Sequence, residues 1–410
     1  MFIDLDQMAG MPVNELEGLY RAHCNSAFYK LLDINGLNRC FAHAEGIYLW
    51  DSDGRRYMDF VGGYGSLNLG HNHPRVIRAV EAHFGRPNLL QENANLYNAV
   101  LAYDISELTR GQLPVCSFTN CGTETVEEAV KLAYMYKKQG AIVYCSNAYH
   151  GKTLGSISAY GNKAKKNYPT LDKTFVEIPF GDAGKLGRAI RKHDVAAFLV
   201  EPVQGEGGIV TAPEGYFQQV RALCDEHDIV LIFDEIQTGI GRCGTMFCYE
   251  QLGIVPDILC LSKSLGGGIM PIGCIAVRQK MWDAAYGKLL NATLPTTTFG
   301  GNTLACVAGI EALSVVREEA LCERAAELGK YALRELNALR LKHEMITQVR
   351  GMGLFIGIEF GSIKKFPVKA VVEFMISTIL SKMFNQHHIL CAYTSNNPAV
   401  LRFEPPLIVT

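Results

Sequence analysis

Asp257-Ile258-Leu259-Cys260-Leu261-Ser262-Lys263-Ser264-Leu265-Gly266-Gly267-Gly268 sets a lysine between a continuous apolar run and three glycines. An apolar run of four residues bounded by an acid and by glycines reads as a strand buried on both faces, the kind found in parallel sheets. A second such run, Ile229-Val230-Leu231-Ile232-Phe233, ends in Asp234. Two buried strands that release an acid and a lysine at their carboxyl ends match the rule that open α/β sheets bind ligands there. The glycines predict a backbone that approaches something closely, with the Lys263 amine aimed at it.

Working outward, helical patterns alternate with short apolar strands from about residue 98 to 310. The predicted strands are Val115–Thr119, Ala141–Cys145, Thr174–Ile178, Ala196–Val200, Ile229–Phe233, Ile258–Leu261 and Gly273–Val277. This alternation predicts an α/β fold with a mainly parallel sheet covered on both faces. Residues 14–32 read as an amphipathic N-terminal helix or arm. Residues 46–60 read as a hairpin turning at Asp53-Gly54, followed by a glycine-rich loop at Gly62, Gly63 and Gly65 and by a helix from about 75 to 84 with Pro74 at its start. A long helical stretch covers 303–340. Beyond it, Gly353–Phe360 and Ala399–Phe403 read as strands, with a helix near 367–386. The expected organisation is an N-terminal arm and hairpin over 1–60 that belong with a smaller α+β domain, a large domain over 61–310, and the remainder of the small domain over 311–410.

A chain of 410 residues suits a large domain plus a smaller one. With 39 basic and 41 acidic residues it carries no electrostatic footprint for nucleic acid or an anionic membrane. No apolar stretch approaches the roughly 20 residues that span a bilayer, and the acidic start, with Asp4 and Asp6, does not read as a secretory signal. Thirteen cysteines, many inside apolar runs, fit a reducing cytoplasm. Cys116/Cys121 and Cys243/Cys248 lack zinc-site spacing, and His71 and His73 are expected in turn and helix-capping roles, so no metal is expected.

Four side-chain groups together suit pyridoxal 5′-phosphate. Lys263 is the amine that would capture its aldehyde, and Asp234 the carboxylate that would keep its ring nitrogen protonated. Thr119-Asn120-Cys121-Gly122-Thr123-Glu124 follows a strand and opens a helix, so the N–H groups of Gly122 and Thr123 make a phosphate cradle; the same pattern also serves ordinary helix capping. The hydroxyls of Thr296-Thr297-Thr298 offer a second phosphate donor. Tyr149, just past the strand 141–145, is a candidate to stack on the ring. Taken singly, each has a structural reading: a surface lysine, an N-cap aspartate, a core tyrosine.

In this order and context, the motifs resemble those of the class III aminotransferases, the ω-aminotransferase branch of the fold type I pyridoxal-phosphate enzymes. The resemblance runs from about Gly46 to the end, through Gly70–Pro74, Asn120–Glu124, Tyr149–Thr153, Glu201–Gly208, Asp234–Gly244, Ser262–Gly268, Thr297–Asn302 and Leu401–Leu407. It implies a homodimer with shared active sites, acting on a small-molecule amine and a keto acid. It also implies that Cys121, Gly122, Thr123, Tyr149, His150, Glu201, Asp234, Gln237 and Lys263 bind the cofactor. Gln237 would contact the cofactor's 3′-oxygen, and Thr298 would reach the phosphate held by the other subunit. Lys263 would also shuttle the substrate proton.

Arg402 resembles the family arginine that binds an α-carboxylate, and Glu206 the acid that pairs with it when an amine lacking that carboxylate binds. Lys152 stands where relatives using ω-amino acids often carry an arginine for the distal carboxylate, and a lysine cannot form that fork. With Pro256–Gly273, Thr296–Asn302 and Arg402–Leu407, this points toward the putrescine aminotransferase group and a diamine donor such as putrescine or cadaverine, with 2-oxoglutarate as acceptor. The family usually continues past the point corresponding to Thr410, so a truncated small domain is expected. The readings left open are amination of a ketone or aldehyde in secondary metabolism, an ornithine-, acetylornithine- or GABA-type transaminase, a glutamate-1-semialdehyde-type aminomutase, and a non-catalytic binding module.

Overall fold

The structure, a computed structural model, describes residues 2–90, 93–361 and 369–410. The N-terminal arm carries α1 (Val13–His23) and α2 (Ser26–Ile34). The single helix expected over 14–32 is broken because Asn25 caps the second helix, its side chain accepting from the Phe28 N–H. A short helix, Leu5–Gly10, precedes them and was not anticipated.

Strands β1 (Phe41–Glu45), β2 (Tyr48–Asp51) and β3 (Arg56–Asp59) pair antiparallel, with the expected turn between the last two. Helix α3 spans Pro74–Glu81, ending three residues earlier than expected, and α4 spans Leu96–Leu108. His73 occupies the N-cap of α3 but makes no capping hydrogen bond, contrary to expectation. His71 instead pairs with Asp59 at 2.9 Å.

The central sheet begins with β4 (Val115–Thr119), followed by α5 (Gly122–Lys137), β5 (Ala141–Cys145), β6 (Phe175–Ile178), β7 (Val195–Val200), β8 (Val230–Asp234), β9 (Ile258–Leu261) and β10 (Gly273–Val277). These seven strands lie in the order β4-β10-β9-β8-β7-β5-β6. Only β10 runs against its neighbours. The expected strands are all present, with ends moved by one residue at Thr174, Ala196, Ile229 and Asp234.

Period-two alternation explains the burial. Cys145, Val200, Phe233 and Leu261 pack into one core, and Tyr144, Leu199, Ile232 and Cys260 into another on the opposite face. Every strand from β5 to β10 except β6 is buried along its whole length. That is why their sequences are uninterrupted apolar runs.

The helical stretch expected over 303–340 is two helices, α6 (Thr303–Glu318) and α7 (Leu321–Lys342), separated at Ala320, whose φ is +49°. Helix α6 packs on α3 and α4, whereas α7 packs on β11 (Ile346–Met352), a strand that was not anticipated. It pairs with β12 (Phe355–Phe360), which starts two residues later than expected because Gly353 and Leu354 form the connecting turn.

Helix α8 is described from Lys369 to His387, and the expected start of that helix at 367 lies outside the described residues. Then β13 (Ile389–Leu390) pairs parallel with β3, joining the hairpin to the C-terminal part of the chain. Strands β14 (Ala392–Tyr393) and β15 (Val400–Phe403) complete a four-stranded sheet with β11 and β12.

Candidate active site

The carboxyl ends of the parallel strands converge on one cavity of about 310 Å³. Cys121 follows β4, Tyr149 and His150 follow β5, Glu201 follows β7, Asp234 ends β8 and Lys263 follows β9. All of them line that cavity, with Gly122, Thr123, Lys152 and Gln237. A parallel sheet presents every carboxyl end on one side, so residues far apart in sequence meet without special loops.

Lys263 opens a short turn with φ +45°, a left-handed conformation that a non-glycine residue adopts only where its surroundings hold it. Burial, with the Arg402 charge nearby, pushes its amine below the usual lysine range against the pull of Glu404, Glu206 and Asp234. The close approach expected of the glycines that follow is made to neighbouring protein. A Cβ on Gly268 would lie 2.6 Å from Leu67, and one on Gly267 would lie 3.1 Å from Val76.

Asp234 is buried, and its two oxygens have separate duties. One accepts the Ile236 N–H at 3.1 Å, the other lies 2.7 Å from His150 Nδ1. Turn residues, not a helix, follow Asp234, so the N–H it accepts belongs to a turn and the helix-capping reading does not hold. Burial pushes His150 down, but the hydrogen bond and charge of Asp234, with the charge of Glu201, prevail and raise it overall. The other ring nitrogen of His150, Nε2, is buried and has no hydrogen-bond partner among the described residues.

Glu201 accepts the N–H groups of Tyr149 and Gly205, each at 2.9 Å. Burial pushes its carboxyl up to about 7, with His150 pulling down and Asp234 pushing up.

At the cradle, Cys121 gives α5 no side-chain cap. Glu124 reaches back to accept the Asn120 N–H at 2.8 Å, which serves the turn before the helix. Among the described residues no hydrogen bond within the protein engages the N–H groups of Gly122 or Thr123. A helix start of this kind holds an anion.

An anion cradle, an amine and a buried carboxylate facing one cavity fit the phosphate, aldehyde and ring nitrogen of pyridoxal phosphate. The size suits a single planar ligand.

Three expected site residues lie outside the cavity lining. Thr298 is exposed on the loop after Pro295. Arg402 is fully buried on β15, where it forms an ion pair with Glu206 on the Gly205–Gly208 loop. Arg402 also pairs with Glu404 at 3.2 Å, and the Tyr64 ring lies 5.0 Å from its guanidinium. Glu404 and Tyr64 were not foreseen. Glu404 had a signal: it stands two residues past Arg402 at a strand end, hence on the same face. Tyr64 had none, because its approach depends on the left-handed turn at Gly63-Tyr64.

The family described as "Aminotransferase class-III" matches residues 34–410. The chain belongs to the class III aminotransferases. The aminotransferase is 40% identical over 373 residues to the putrescine aminotransferase of Pectobacterium atrosepticum, across 88% of this chain and 77% of that one. It is 33% identical over 433 residues to the aminotransferase PigE of Serratia sp., across 95% of this chain but 51% of that longer protein. Ornithine aminotransferase from Toxoplasma gondii superposes with a TM-score of 0.86 at 30% identity, covering 99% of this chain and 93% of that one. The fold is that of the fold type I enzymes, the cofactor is pyridoxal 5′-phosphate, and the substrates are amines and keto acids. Among the described residues no helix is long and apolar enough to cross a membrane.

Proposed function

We propose that the donor is a diamine such as putrescine or cadaverine and that the acceptor is a keto acid, 2-oxoglutarate fitting best. The observation that carries this reading is the Arg402–Glu206 ion pair. With its arginine already engaged, the pocket accepts an amine that has no carboxylate. An acceptor carboxylate replaces Glu206 on the same guanidinium in the other half-reaction. Lys152, exposed at the cavity rim, leaves no arginine fork there for a distal carboxylate. Similarity to a putrescine aminotransferase supports the same reading.

The cofactor, when bound, carries the amino group and serves as an electron sink at the reacting carbon. Lys263 anchors it and moves the substrate proton on Nζ, its lowered affinity for protons suiting that task. Asp234, aligned by His150, keeps the ring nitrogen protonated. Gly122 and Thr123 hold the phosphate through their N–H groups, and Gln237 faces the cofactor's 3′-oxygen.

The working unit in this reading is a homodimer in which Thr298 serves the other subunit. Its support is the apolar surface on the same segment, where Leu289 and Leu290 are each 94% exposed. The cytoplasm is supported by thirteen free thiols.

Mixing the cofactor-loaded enzyme with single amines and following the cofactor's absorbance tests the donor. Conversion with putrescine or cadaverine is expected. Strong conversion with ornithine or GABA and none with any diamine rejects the reading.

A further inference from the structure

Arg402 is held by two acids placed very differently. The Glu206 side chain keeps 14% of its surface exposed and accepts the Ser395 N–H at 2.7 Å. Glu404 is wholly enclosed. One of its oxygens lies 3.2 Å from Arg402 Nη1, and Gln237 Nε2 donates to both oxygens at 2.9 and 3.1 Å. Its N–H donates to the Phe60 carbonyl at 3.0 Å, and the next carbonyl, of Pro405, accepts from the buried Arg242 at 2.6 Å. Space for the carboxylate exists because residue 65 is glycine at φ +84°. A Cβ there would sit 2.6 Å from Glu404 Oε1. Glu206 therefore has room to turn aside, and Glu404 has none.

We propose that Glu404 is a specificity-determining positioning residue: a fixed counter-charge that keeps Arg402 neutralised after Glu206 has turned away, biasing the pocket toward cationic donors and against carboxylates. The donor half of this statement rests on the diamine reading; the carboxylate half does not. One guanidinium against two carboxylates leaves the cluster with a net charge of minus one. The Ser395 tether keeps a displaced Glu206 close by, so an incoming carboxylate meets both acids, whereas the second ammonium of a diamine is attracted by both. The influence extends to the chemistry, for of the carboxylates around Lys263, Glu404 acts most strongly on its amine. Through Gln237 the same carboxylate orients a residue of the cavity wall, so one buried acid sets both the arginine and the amide.

The test is calorimetric titration of the cofactor-loaded enzyme with glutarate, a dicarboxylate that has no group to react. E404Q, which removes the charge and keeps the shape, is expected to bind glutarate about tenfold tighter than the parent. E404D, which keeps the charge, is expected to stay within about twofold. The ratio of kcat/KM for putrescine to that for ornithine is expected to fall about tenfold in E404Q and to persist in E404D.

Unchanged or weaker glutarate binding in E404Q overturns the proposal, as does equal impairment of both variants, which marks a mere brace. Glu404→Met supplies a second neutral variant. If neither neutral variant folds while E404D does, the residue is structural and the proposal falls. A parent enzyme that ignores diamines defeats the donor reading alone, because the glutarate arm still decides the role of Glu404.

Discussion

His150 Nδ1 lies 2.7 Å from the Asp234 carboxylate, with both side chains buried. The imidazole fixes one oxygen of the acid while the Ile236 N–H fixes the other, so Asp234 is held on both sides before any ligand arrives. Preorganisation of this kind is what an electrostatic partner for a ring nitrogen requires.

Asp234→Asn keeps the shape and removes the charge. Turnover is expected to fall about 10²- to 10⁴-fold with the fold retained. Steady-state assays beside far-ultraviolet circular dichroism check this, and a loss under about tenfold would remove Asp234 from the chemistry.

Replacing Lys263 by alanine removes both the anchor and the proton carrier. Activity is expected to drop by at least about 10⁴-fold. Borohydride reduction of the loaded parent enzyme, followed by peptide mapping, is expected to label Lys263 and no other lysine.

The pH dependence of stability has an identifiable source in Glu235. It is buried, and its oxygens accept the N–H groups of Cys248 and Tyr249 at 2.6 and 2.7 Å. Burial, against these two donors and with Glu250 adding repulsion, pushes its carboxyl up to about 8. A raised carboxyl binds its proton more tightly in the folded state. Its contribution is therefore complete below the unfolded value of 4.5 and is lost as pH rises through about 8. E235Q is expected to be less stable than the parent at pH of about 5, with the gap closing by pH of about 9 at a slope of up to about 1.4 kcal/mol per unit. Urea midpoints across that range measure it, and a constant gap contradicts the assignment.

Leu290→Asp places a charge in the apolar surface beside the Thr298 loop. Sedimentation equilibrium is expected to show a dimeric parent and a variant shifted toward monomer, with activity per chain falling on dilution. An unchanged mass would place the interface elsewhere.

Much of this site was legible because its residues sit where buried strands end. Lys263, Asp234, Tyr149 and Glu201 each follow an apolar run, and runs of that kind are local patterns. What was not legible depended on distance. Glu404 follows Arg402 by two residues, but its enclosure comes from Gly65 and Gln237, which no local pattern joins to it. What the glycines after Lys263 approach was not legible for the same reason, since their contacts, Leu67 and Val76, lie about two hundred positions away.

By itself, the sequence determined the strands of the central sheet, the break into helices on both faces and the kinds of residue offered at the strand ends. Hydrophobic periodicity and strand-end chemistry are properties of neighbours along the chain. Only the tertiary structure decided the strand order, the pairing of Ile389 with Met58, and the clasp of Arg402 between Glu206 and Glu404. Those arrangements join segments remote in sequence, and packing and charge in three dimensions select among the many pairings that local pattern permits.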